Sequence, residues 1–77
     1  MAEPTKSLDV QGLTCPIPVL KAKKAMKDVP KGGTLEVLAT DPGSVEDFDV
    51  FCKTTGAKLL EQTSENGVYR FLIRNAG

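Results

Sequence analysis

Cys15 stands in the stretch GLTCPIPVL, directly ahead of Pro16 and Pro18. A cysteine does chemistry as its thiolate, so the question is what surrounds the sulfur. Proline suits the first position of a helix, where its missing amide proton costs nothing and its fixed φ already fits. Pro16 at that position puts Cys15 at or near an N-cap. There the free backbone amides and the positive end of the helix dipole favour the thiolate and predict a lowered pKa. Pro18, in the first turn, is a second ring-locked residue and stiffens the segment that aims the sulfur, while Gly12 ends whatever precedes it. A cysteine at a helix start is also a good small apolar filler, and proline there is common punctuation. The local pattern alone leaves both readings open.

The remaining candidates are weaker. Cys52 falls between aromatic residues on an apolar stripe and reads as a core residue rather than a partner of Cys15. The chain has no histidine, which removes the commonest general base, any Cys-His pair and most transition-metal sites. Two cysteines do not complete a structural zinc site. Glu46, Asp47 and Asp49 cluster where a helix begins, a place carboxylates occupy for capping and dipole reasons. DPGS, residues 41 to 44, has one glycine and no Lys-Ser/Thr ending, so it does not make a phosphate loop. No metal or cofactor is expected.

The elements that must hold Cys15 follow from periodicity. SLDVQ alternates Leu8 and Val10 against polar neighbours, as a half-buried strand does. From Pro16 to about Asp28, Pro18, Val19, Ala22, Ala25 and Met26 share one helical stripe, continued by Val29. PKGG ends that helix, and TLEVLAT follows as a strand with Leu35, Val37 and Ala39 on one face. Strand, helix and strand at this spacing predict a right-handed parallel crossover. Ser44 to Asp47 reads as a capping box ahead of a helix from about Val45 to Thr55, its inner stripe Val45, Phe48, Phe51, Cys52 and Thr55, with Gly56 as its stop. Asn66-Gly67 is a tight-turn pair between two final strands, with Tyr69, Phe71 and Ile73 alternating along the last. The expectation is an α+β fold, a two-layer α/β sandwich in βαβαββ order, with two helices on one face of a four-stranded mixed sheet.

On the outer side of the first helix, Ile17, Leu20, Lys21 and Lys24 form a patch of aliphatics and lysines that begins within one turn of Cys15 and is rimmed by Lys23 and Lys27. Bulky apolar residues facing solvent mark a docking surface, although single exposed hydrophobes are ordinary.

Seventy-seven residues make one domain. Ten basic and ten acidic residues cancel, which argues against direct nucleic-acid binding. MAEPTKSLDV lacks the apolar run of a signal peptide, and no stretch is long enough to span a bilayer. A cytoplasmic monomer with reduced thiols is the expectation.

LDVQGLTCPIPVLKAKKAM and LEVLATDPGSVEDF, followed by TTGAKLL, resemble the TusA-like (SirA-like) sulfur-carrier family over nearly the whole chain, which implies a single domain of that family with its core from about residue 7 to 75. The resemblance implies that Cys15 carries sulfane sulfur as a persulfide, with Pro16 and Pro18 completing the motif and Gly12 supporting it. It implies a sulfur carrier with sulfurtransferase activity rather than a self-contained enzyme. Its donor would be a cysteine desulfurase or rhodanese-like protein and its acceptor a DsrE/TusD-like carrier. The settings it implies are sulfur oxidation, tRNA thiolation or molybdenum cofactor synthesis. A thiol-based redox sensor or interaction module without sulfur transfer is the competing reading, and Cys52 has no place in the motif.

Overall fold

A computed structural model describes residues 4–14 and 17–75. The elements are β1 (Lys6–Asp9), α1 (Ile17–Met26), β2 (Thr34–Ala39), α2 (Ser44–Thr55), β3 (Lys58–Glu65) and β4 (Val68–Arg74). The strands form one sheet in the order β1-β2-β4-β3. β1 and β2 are parallel, with Leu8 opposite Val37, and the other two pairings are antiparallel. Two helices pack on one face of a four-stranded mixed sheet, in the expected βαβαββ order.

The two-residue alternation decides which side chains the helices cover. Leu35, Val37 and Ala39 of β2 and Phe71 and Ile73 of β4 are fully buried, with Val37 opposite Phe71 and Leu35 opposite Ile73. From above, α1 contributes Pro18, Ala22 and Ala25, whose small volumes let the helix lie close to the sheet. α2 contributes Phe48, Phe51 and Cys52. Phe48 lies over Phe71 with ring centroids 4.8 Å apart and meets the edge of Phe51 at 6.1 Å. Val19, Met26 and Val45 are half-buried against this cluster.

Three local features differ from the sequence expectation. Regular α1 ends at Met26, and Lys27, Asp28 and Val29 close it through bonds to the carbonyls three residues back, a tightening common at helix ends. Ser44 is not the cap. Gly43 holds that position with no side-chain bond, Ser44 N–H donates to the Asp41 carbonyl at 2.9 Å, and the Ser44 hydroxyl is buried without a partner. Asp41 has displaced it, because its carboxylate accepts from Gly43 N–H and sets the turn one residue early. Thr55 is exposed rather than inward, its hydroxyl bonding back to the Phe51 carbonyl. Gly56, at φ 80°, stops α2 as expected. Asn66 and Gly67, at φ 52° and 81°, make the β3–β4 turn, whose two left-handed positions match the strand twist. β3 shifts register between Leu59 and Glu61, so Leu60 bulges into solvent.

The uncovered face of the sheet carries a charged ladder. Arg70 Nε donates to Glu36 at 2.6 Å, Arg70 Nη1 to Glu61 at 3.3 Å, and Ser7 Oγ donates to the other oxygen of Glu36 at 3.0 Å. The hydrogen bond from Arg70, opposed by burial and helped by Ser7, holds the Glu36 carboxyl below its ordinary 4.5. A depressed folded-state pKa contributes stability above the unfolded value and loses it as pH falls through the folded one. Glu36→Gln should therefore lower the urea midpoint at about pH 7 by the equivalent of about 1 kcal/mol and change it little at about pH 3. An equal loss at both pH values would show that shape, not charge, is what Gln fails to supply.

Candidate functional site

Because β1 and β2 run parallel and each feeds a helix, both connecting loops and both helix N-termini lie at one end of the sheet. The loop that leads to Cys15 is strapped to its neighbour there. Val10 N–H donates to the Leu38 carbonyl at 2.8 Å, and Gly12 N–H donates to Thr40 Oγ1 at 2.9 Å. Gly12 sits at φ 83°, a conformation that costs a residue with a Cβ about 1–2 kcal/mol. A side chain there would meet no neighbour within 4 Å, so backbone geometry rather than space requires the glycine. Leu13 is half-buried against the core and pins the loop from beneath.

Of the predicted site residues, Cys15 and Pro16 lie outside the described residues. Their flanks are placed: Ile17 N–H donates to the Thr14 carbonyl at 2.9 Å, and α1 begins at Ile17. Pro18 is fully buried, so the second proline of the motif anchors the first turn to the core rather than facing the site. The two helix starts differ in charge. The first turn of α2 holds Glu46 and Asp47, whereas that of α1 holds no acid. The positive end of α1 is thus left unneutralised by its own side chains on the side where Cys15 precedes it.

Ile17, Leu20, Lys21 and Lys24 are all exposed along one stripe of α1, Leu20 to 59%. One residue of this surface escaped the sequence reading. Val50, on α2, is 55% exposed and lines the same inter-helix groove as Leu20, above Val19 and Phe51, in a cavity of about 380 Å³. Its signal was an aliphatic out of phase with the Phe48–Phe51–Cys52 stripe. Lys23 lies on the α1 side of this groove, Glu46 and Asp47 on the α2 side.

Cys52 is buried, and burial, with the nearby Asp49 charge adding to it, pushes its thiol pKa up. It is a poor nucleophile for that reason. Among the described residues, no three cysteines or carboxylates converge as a metal site would require, and no helix is long and apolar enough to cross a membrane.

Comparisons with known proteins cover the chain almost end to end. The family profile described as sulfurtransferase TusA matches residues 6–75. The sulfur carrier protein TusA of Allochromatium vinosum is 49% identical over 76 residues, 99% of this chain and 100% of that protein. A putative sulfur carrier protein of Neisseria meningitidis is 44% identical over 71 residues, 92% of this chain and 96% of that one. The crystal structure of a SirA-like protein from Desulfitobacterium hafniense superposes with a TM-score of 0.82 at 29% identity, covering 95% of this chain and 100% of that one. On the profile match and these identities, the chain belongs to the TusA sulfurtransferase family.

Proposed function

We propose that the protein is a sulfur carrier in which Cys15 holds sulfane sulfur as a persulfide between a donor and an acceptor protein. The observation that carries this reading is the acid-free N-terminal end of α1, two residues beyond Cys15, on a loop strapped in place through Gly12 and Thr40. The Cys15 thiolate attacks the outer sulfur of a donor persulfide, R–S–SH. A bond forms between Cys15 sulfur and that sulfur, the donor's S–S bond breaks, and the donor leaves as its thiolate. An acceptor thiolate then repeats the exchange on Cys15–S–SH and releases Cys15 as thiolate. No net oxidation occurs, and a thiol already ionised by the helix end needs no general base, consistent with a chain lacking histidine.

The donor is a cysteine desulfurase or rhodanese-like protein and the acceptor a DsrE/TusD-like carrier, serving sulfur oxidation, tRNA thiolation or molybdenum cofactor synthesis. The protein acts as a cytoplasmic monomer. Partners grip Ile17 and Leu20, with Lys21 and Lys24 attracting acidic surfaces. Incubation with a cysteine desulfurase and cysteine should add the mass of one sulfur atom to Cys15, reversibly by thiol reductant. No gain, or a gain on Cys52, overturns the carrier reading. In the same assay, Leu20→Asp should slow loading from the protein donor by about tenfold while loading from a small-molecule persulfide is unchanged. Equal slowing with both donors would deny this face a docking role.

A further inference from the structure

The outer face of β4 presents two arginines in contrasting surroundings. Arg70 lies between the carboxylates of Glu36 and Glu61. Arg74, four residues on and on the same face, has Lys58 directly across in β3 and Thr34 across in β2. Lys31 joins them from the turn ahead of β2. Lys31, Lys58 and Arg74, with Gly32 and Asn75, line a cavity of about 240 Å³ that no acidic side chain lines. None of the three cations makes an ion pair among the described residues.

The backbone beneath them is fixed. Gly32 N–H donates to the Asn75 carbonyl at 2.7 Å, Asn75 N–H to the Gly33 carbonyl at 2.9 Å, and Asn75 Nδ2 to the Val29 carbonyl at 2.6 Å. Like charges directly opposite in a sheet destabilise the pairing, and here a third cation is added. The chain as a whole is neutral, so this is segregation of charge to one end rather than an excess of basic residues.

We propose that Lys31, Lys58 and Arg74 form a binding site for a multiply charged phosphate-type anion of diphosphate size. A lone carboxylate offsets one of the three charges. A diphosphate supplies enough charge and oxygens for all three, including both prongs of the Arg74 guanidinium. The site lies at the Thr34 end of β2, six residues from the Gly12–Thr40 strap, about 20 Å at the rise of a strand. It is therefore separate from the strapped loop that leads toward Cys15.

The test is a titration of the isotope-labelled full chain with inorganic pyrophosphate, followed by backbone amide shifts, against sodium chloride at matched ionic strength. Saturable shifts should centre on Lys31, Gly32, Lys58, Arg74 and Asn75. Arg74→Gln should weaken the affinity by tenfold or more and Lys58→Gln should weaken it too, while Lys53→Gln, on α2, and Cys15→Ser should bind as the parent does. Unsaturable shifts spread over all lysines, unchanged affinity in Arg74→Gln, or binding of a uridine oligonucleotide but not of pyrophosphate would overturn the site.

Discussion

A Cys15→Ser chain should emerge from incubation with a sulfur-loaded donor with no added sulfur, its loading at least a hundredfold below that of the parent. The serine hydroxyl is not ionised near neutral pH, and it lacks the polarisable sulfur that thiol exchange needs. The one other thiol offers no detour. Cys52 is buried under α2, and burial raises its pKa instead of lowering it. Cys52→Ala should accordingly load as the parent does, provided it is folded, which its far-ultraviolet dichroism and urea midpoint report. Intact-mass spectrometry of the parent and both variants decides the matter. Loading lost in a folded Cys52→Ala and kept in Cys15→Ser would assign the sulfur to Cys52 and overturn the carrier role of Cys15.

The second large effect is structural. Phe48 is fully buried, stacked over Phe71 and edge-on to Phe51, and joins α2 to the middle of the sheet. Phe48→Ala should cost about 3–5 kcal/mol, from lost transfer energy and the cavity left behind. A domain of 77 residues has about 4–12 kcal/mol in total, so the variant should lose much of its stability and melt at least ~10 °C lower. Val50→Ala, on the same helix but exposed, should change stability by less than about 0.5 kcal/mol. Urea unfolding of the two variants checks the contrast. Similar midpoints would mean that α2 is not held by the aromatic cluster. The consequence reaches the site, because the start of α2 and the strapped loop before Cys15 share one end of the sheet.

Much of the fold was readable because its signals are local and repeat. Leu35, Val37 and Ala39 alternate with period two, and only a strand puts all three on one side. Pro18, Ala22, Ala25 and Val29 recur at helical spacing, and the Asn66-Gly67 pair demands the backbone angles it adopts. The exposure of Ile17, Leu20, Lys21 and Lys24 followed from the same count, since the residues of a helix that miss the core stripe must face outward. Ser44 was misread because its local pattern fits a cap. Asp41 competes for the same turn, and nothing local says that the Ser44 hydroxyl is to be buried.

The elements, most of their inner faces and the family to which Cys15 and its neighbours point were thus carried by the sequence alone. Only the tertiary structure decided which residues distant in the chain meet. The order β1-β2-β4-β3 sets Gly12 against Thr40, lays Val50 of α2 beside Leu20 of α1, and gives Arg70 two carboxylates while Arg74 faces Lys58. The physical reason is that periodicity tells a side chain which way to face. Its partner is fixed by strand register and helix placement, which emerge when the whole core packs at once.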